Sequence, residues 1–282
     1  MFNFRLTPEE EASLKLRGLY ESYGYSFYRM KRFEEYDFYA GRKDFLTSKS
    51  ILTFTDINGK LMALRPDVTL SVIKHTGSGK FYYDEKVYRV PRNASTFHEI
   101  SQSGIECMGH LQPSDLREVL ELAILSLHLI ADGKRCVLDV ADAGQVSRIL
   151  QGNDDTAVVL HCLAGKNLHG LKAMNAPDEL VRLAEIDSHP ENSMPYLTTE
   201  TARIIDGLKK YHDELRIDFS AVNSLNYYNG LVFRGFIEGI PEAILSGGQY
   251  DKMMNMMGHK DAQGIGFAVY LDMIGRRTLN DD

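Results

Sequence analysis

The sequence predicts an α+β fold, an antiparallel sheet flanked by helices and interrupted by a small helical insertion. Three observations point there. Strand-like spans at 81–109, 217–238 and 244–247 carry hairpin-like spacing. One segment, Ser114 to Ile130, has a centre, VLELAILSLHLI, that is apolar almost all round, as a helix buried against a sheet is. From about 142 to 210 the texture changes to polar helices alternating with Asn, Gly, Pro and Ser. Strands, a buried helix, a helical run and strands again describe the α+β class.

Each element has a local cause. Thr7-Pro8-Glu9-Glu10 reads as a helix start: Thr7 caps, Pro8 suits the first helical position, and Glu10 completes a capping box. Leu16, Leu19, Tyr20 and Tyr23 follow at helical spacing. Residues 25–75 read as strands and turns, broken by Gly41 and by an Asn58-Gly59 turn. Residues 81–109 form a strand pair around a polar loop near Arg92-Asn93-Ala94-Ser95. Ser114-Asp115 opens the long helix and Gly133 closes it. Cys136 to Val140 is one more strand, and 263–277 runs from strand into helix.

A chain of 282 residues is long enough for about two domains. The spans expected are 1–141 and 211–282 as two parts of one core, with 142–210 as the insertion. With 32 basic and 39 acidic residues the formal charge is -7, which disfavours a general nucleic-acid binder. No apolar run reaches the roughly 18–20 residues of a membrane span, and the N-terminus turns acidic too soon for a signal peptide. The three cysteines form no CxxC pair, and the nine histidines show no metal-binding spacing. A cytoplasmic location without metal or cofactor is the expectation.

Four short constellations can carry chemistry. In Leu64-Arg65-Pro66-Asp67-Val68-Thr69, Asp67 and Thr69 point the same way if the chain is extended, and an acid beside a hydroxyl receives an ammonium. The plainer alternative is a helix start capped by Asp67 or Thr69. Beyond Tyr88-Arg89, a strand at 100–107 places Gln102, Gly104 and Glu106 on one face, either a ligand shelf or a solvated sheet face. Leu225 to Gly230, with Tyr227 and Tyr228, reads best as a hairpin on Asn229-Gly230, and otherwise as a ligand wall. Ser246-Gly247-Gly248-Gln249-Tyr250-Asp251 and Gly264-Ile265-Gly266 read as tight packing rather than an anion cradle, since neither standard phosphate loop is present.

Taken in order, the four constellations resemble the catalytic domain of histidyl-tRNA synthetase, a class II aminoacyl-tRNA synthetase. LRPDVT is similar to that family's LRPE-G-T signature. YRV with SQSGIECMG resembles motif 2 and its glutamine-glycine-glutamate strand. LNYYNGLVF resembles the tyrosine-pair segment, and GGQYD with GIGFAVYLDMI resembles the glycine-rich block and motif 3. The resemblance covers nearly all of the chain and implies a class II synthetase-like sheet. It also implies a histidine pocket of Asp67, Thr69, Gln102, Glu106, Tyr227 and Tyr228, with Arg89 toward the carboxylate.

The departures bear on activity. Arg89 is kept, but the acid of the family's arginine-x-glutamate is Pro91 here; the arginine before the tyrosine pair aligns with Asn223, and that of motif 3 with Met273. Such arginines stabilise triphosphate charge, which Asn and Met do not. Arg276, three residues on, is the remaining candidate for that role, one turn away. No anticodon-binding domain is expected in the 282 residues. A fold with a histidine pocket and without ATP or tRNA chemistry resembles the regulatory-subunit family of ATP phosphoribosyltransferase. That resemblance implies no catalytic residue, L-histidine as ligand, feedback control of histidine biosynthesis, and a homodimer within a hetero-oligomer with the short-form catalytic subunit. It implies no tRNA and no membrane. The alternative is a truncated synthetase paralogue that adenylates an amino acid for a non-tRNA acceptor.

Overall fold

The computed structural model describes residues 5–42, 51–90, 95–222 and 225–274. The chain divides into two compact units, Met1–Glu106 with Ala268–Asp282, and Cys107–Phe267. Among the described residues no helix is long and apolar enough to cross a membrane.

The first unit opens with α1 (Pro8–Ser22), whose start follows the sequence logic. The Thr7 hydroxyl accepts from the Glu10 N–H at 3.2 Å, and the Glu10 carboxylate accepts from the Thr7 N–H at 2.8 Å. Its inward face buries Ala12, Leu16 and Tyr20. That face packs on β1 (Ser26–Phe27) and β5 (Gly79–Arg89), where the Tyr82 hydroxyl donates to Glu21 at 2.6 Å. A separate three-stranded sheet, order β2-β4-β3, is built from β2 (Phe33–Glu35), β3 (Thr53–Thr55) and β4 (Leu61–Leu64). The Asn58-Gly59 turn closes its β3–β4 hairpin, with Gly59 at φ +79° and the Asp56 carboxylate accepting from the Asn58 and Lys60 N–H groups.

Among the described residues, two helices interrupt the stretch read as strands and turns: α2 (Tyr36–Ala40) and α3 (Thr69–His75). Both are short. Residues 69–73 of α3 are all buried, so no amphipathic stripe marks it in the sequence. β6 (His98–Gly109) follows β5 and lies beside it, as expected of the 81–109 pair. Arg92, Asn93 and Ala94 of the intervening loop lie outside the described residues, as do Pro91, Asn223 and Arg276.

The second unit is organised around α4 (Pro113–Ala131). Its start is boxed by Gln112 and Asp115, and its end is marked by Asp132 at φ 53° and Gly133 at φ +74°. Its apolar body packs on β7 (Cys136–Asp142) and β9 (Leu231–Ile237). Strand order here is β11-β10-β9-β7-β8, with β8 (Leu215–Ile217), β10 (Leu245–Gln249) and β11 (Gln263–Tyr270). The helical run begins with α5 (Ala143–Ile149), α6 (Thr156–Ala164) and α7 (Leu168–Ala173). It continues with α8 (Asp178–Glu185), α9 (Pro190–Ser193) and α10 (Thr199–Asp206); α11 (Asp251–Met256) follows β10.

The pairing is mixed rather than wholly antiparallel. β9 runs antiparallel to β7 and β10, but β8 is parallel to β7, and β1 is parallel to β5. Both parallel partners are far apart in sequence, and a long crossover is what a parallel neighbour requires. The span read as strand at 217–238 is also broken, by a 3₁₀ turn at Phe219–Ala221 between β8 and β9.

Candidate functional site

Asp67 and Thr69 do not share an extended strand. The chain turns at Val68 into α3, and the Asp67 carboxylate caps that helix by accepting from the Leu70 N–H at 2.9 Å. Capping, the plainer of the two sequence alternatives, is what Asp67 does. Its position still matters, because the same turn aims Thr69 at β6. The Thr69 hydroxyl donates to Glu106 at 2.6 Å, joining residues 37 apart in sequence.

β6 is not a half-solvated strand. Residues 102–108 are buried on both faces. Glu106 is 2% exposed, Gln102 5%, Thr69 9% and Asp67 8%. Two carboxylates, a hydroxyl and an amide therefore sit buried within one unit, around the start of α3 and the adjoining strand. Burying a carboxylate is costly unless it is hydrogen-bonded, and here the Thr69 hydroxyl and the Leu70 N–H supply bonds to Glu106 and Asp67. The chemistry is acceptor-rich and suits a ligand that brings N–H donors or positive charge. Arg89 stands at the end of β5, half-buried, in the same unit.

Arg65 holds the segment that leads into this turn. It is 2% exposed and donates to the Lys86 carbonyl from Nε at 2.9 Å and from Nη2 at 2.7 Å. It also donates to the Lys31 carbonyl at 3.1 Å and to the Glu85 carboxylate at 2.7 Å. Beyond α3, buried Glu34 accepts from Ser71 and from Lys74, with His75 at 3.2 Å. Burial pushes the Glu34 carboxyl up, but the hydrogen bonds from Lys74, His75 and Ser71 outweigh it and leave it below the ordinary value. Burial raises the Tyr39 phenol well above its ordinary value, with the charges of Glu34 and Asp67 adding to the effect. None of these groups is assigned a role in the sequence reading. Glu34 and its partners are some forty residues apart, so no local spacing signals them. Arg65 lies within LRPDVT, and its charge in a strand-to-helix segment is the one visible hint.

Tyr227 and Tyr228 belong to the second unit. Their rings are 4.7 Å apart and near-perpendicular. The expected hairpin on Asn229-Gly230 is not formed: residues 225–230 are not strand, and β9 pairs with β7 and β10 instead. Gly230 is needed for a different reason, because a Cβ there would lie 2.2 Å from the Gln249 side-chain oxygen, which accepts from the Leu231 N–H. The glycine-rich block serves close packing. A Cβ on Gly247 would meet the Gly266 carbonyl at 2.4 Å, one on Gly248 the Tyr228 ring at 2.7 Å, and one on Gly264 the Tyr250 ring at 2.1 Å. Met273 lies in the short helical turn after β11, half-buried.

Comparison with known proteins bears on these features. A family model described as histidyl-tRNA synthetase matches residues 5–274. The chain is 27% identical over 301 residues to the ATP phosphoribosyltransferase regulatory subunit of Lactococcus lactis subsp. cremoris, covering 98% of this chain and 94% of the relative. Among solved structures, one described as an ATP phosphoribosyltransferase regulatory subunit/histidyl-tRNA synthetase from Bacillus halodurans superposes with a TM-score of 0.81 at 21% identity, over 98% of this chain and 82% of that one. A chain of the ATP phosphoribosyl transferase (HisG:HisZ) complex from Thermotoga maritima gives 0.74 at 18% identity, over 92% and 96%. At these identities the structures bear on the fold: a mixed sheet flanked by helices, of the class II synthetase kind.

Proposed function

This chain belongs to the histidyl-tRNA synthetase family, and we propose that it serves there as a non-catalytic regulatory subunit of ATP phosphoribosyltransferase, paired with a short-form catalytic subunit. The observation that carries the reading is Met273, a neutral residue where the family's motif 3 has arginine, in a chain that keeps the buried Asp67, Thr69, Gln102 and Glu106 set. The relative named as a regulatory subunit, matched over 98% of this chain, supports it.

The ligand of the buried set is free L-histidine, and its occupancy is the feedback signal. A carboxylate beside a helix start receives the α-ammonium, and Glu106 with Thr69 hydrogen-bonds the imidazole. Arg89 is the proposed partner of the ligand carboxylate. Tyr227 and Tyr228 enter through the family resemblance alone.

Two experiments separate this reading from an adenylating paralogue and from a monomer. Losing one preorganised donor to a developing charge costs about 2.7–4 kcal/mol, so replacing two arginines should leave no measurable activation. Histidine-dependent pyrophosphate exchange is expected at background, and exchange above it would select the adenylating alternative. The chain is also proposed to be a homodimer through its N-terminal region, where Phe33 and Phe54 form an exposed edge-to-face pair 5.6 Å apart. Sedimentation velocity at micromolar concentration should give a species of twice the 31.9 kDa chain mass, and a single species at 31.9 kDa would refute the dimer.

A further inference from the structure

The second unit holds a cleft that the histidine reading does not use. It encloses about 700 Å³ and is lined by α5, α8 and the segment Pro195 to Thr198, with Arg148 on α5 and Arg182 on α8 both bordering it. That size lies within the range of about 300–1,000 Å³ typical of small-ligand sites.

Its charges are uncommitted. Among the described residues neither Arg148 nor Arg182 forms an ion pair, although each is the basic residue in the last turn of its helix. Two guanidinium forks bordering one concavity match a phosphate, which arginine binds bidentately. Gln145, 7% exposed, lines the same cleft. Its amide N–H donates to the Tyr196 carbonyl at 2.8 Å, while its oxygen is buried without a hydrogen-bond partner. An orphaned buried acceptor is costly, and a donor brought by a ligand relieves that cost. Glu179, exposed and one turn before Arg182 on α8, is a second acceptor in the lining.

We infer that this cleft binds an organic phosphate bearing hydroxyl groups, a sugar phosphate or a nucleotide. The arginines hold the phosphate, and Glu179 and Gln145 accept from the hydroxyls. The exposed Tyr196 ring at the margin offers a stacking face where a base is present. Acidic peptides supply the charge but lack a cluster of hydroxyl donors, and a phosphorylated sugar supplies both.

The inference goes beyond the histidine reading and does not depend on it. The test is calorimetry on the full chain with AMP, ribose 5-phosphate and inorganic phosphate. Both esters should bind with sub-millimolar Kd at one site, and inorganic phosphate at least tenfold more weakly. Tighter binding of AMP than of ribose 5-phosphate assigns the base to Tyr196, and equal binding assigns the site to the sugar phosphate. The double variant Arg148→Ala with Arg182→Ala should lose at least tenfold for both esters, while its histidine affinity stays that of the wild type. Glu179→Ala should weaken ribose 5-phosphate severalfold without weakening inorganic phosphate. All three positions are exposed, so circular dichroism should report an unchanged fold. Absence of ester binding at millimolar concentration overturns the inference, and so does unchanged ester binding in the double arginine variant.

Discussion

Replacing Glu106 with alanine should lower L-histidine affinity by one to two orders of magnitude. The carboxylate is 2% exposed and already accepts from the Thr69 hydroxyl at 2.6 Å, so its orientation is set before any ligand arrives. A hydrogen bond to a charged group contributes about 1.5–3 kcal/mol, and each 1.4 kcal/mol is a factor of ten. A site whose polar groups are matched to a ligand also rejects analogues that leave those groups unpaired, so leucine and phenylalanine should not bind the wild type. Thr69→Val should lose less, because it removes the orienting hydroxyl and keeps the charge. Calorimetry reads all three. A Glu106→Ala variant that binds histidine within about twofold of the wild type would show that the buried set is not the histidine site.

The largest effect on stability is expected at Arg65. Its guanidinium satisfies the Lys86 and Lys31 carbonyls and pairs with Glu85, whose side chain is only 15% exposed. Replacing two such ions with well-packed apolar groups can be neutral, but removing Arg65 leaves Glu85 largely buried with the Met30 N–H and without its counter-ion. Arg65→Ala should therefore cost about 3–5 kcal/mol in urea unfolding at neutral pH. Backbone bonds reinforce the same node. The Arg65 N–H donates to the Arg32 carbonyl at 3.0 Å, and the Tyr88 N–H to the Arg65 carbonyl at 2.9 Å. A loss below 1 kcal/mol would mean that this arginine is held by the fold rather than holding it.

What could be read from the sequence follows physical range. The capping box at Thr7, the Asn58-Gly59 turn and the ends of α4 are decided within a few residues, and each is where the spacing puts it. The start of α3 was legible as the capping alternative at Asp67, but its extent was not, because a helix buried on nearly every side has no stripe to read. The parallel partners of β1 and β8 escaped because pairing across a long crossover leaves no local mark. Asn229-Gly230 misled for the opposite reason. The dipeptide carries the strongest short hairpin signal, yet Gly230 is spent on making room for the Gln249 side chain. At the site, the residue types of the Gln102–Glu106 strand were legible, but their burial on both faces was not. Alternating polar residues ordinarily face water, and the Thr69 hydroxyl that donates to Glu106 comes from a segment 37 residues away, which no local pattern announces.

The measurement that tests the central claim most directly mixes this purified chain with a short-form ATP phosphoribosyltransferase catalytic subunit and follows ATP phosphoribosylation with and without L-histidine. A stable complex should form at micromolar concentration, its rate should fall with histidine, and the Glu106→Ala chain should form the same complex with that response lost. Coupling between sites is reciprocal and typically about 1–3 kcal/mol, so the catalytic subunit's substrates should shift histidine affinity by the same factor. No complex at micromolar concentration, or a histidine response unchanged by Glu106→Ala, would contradict the account.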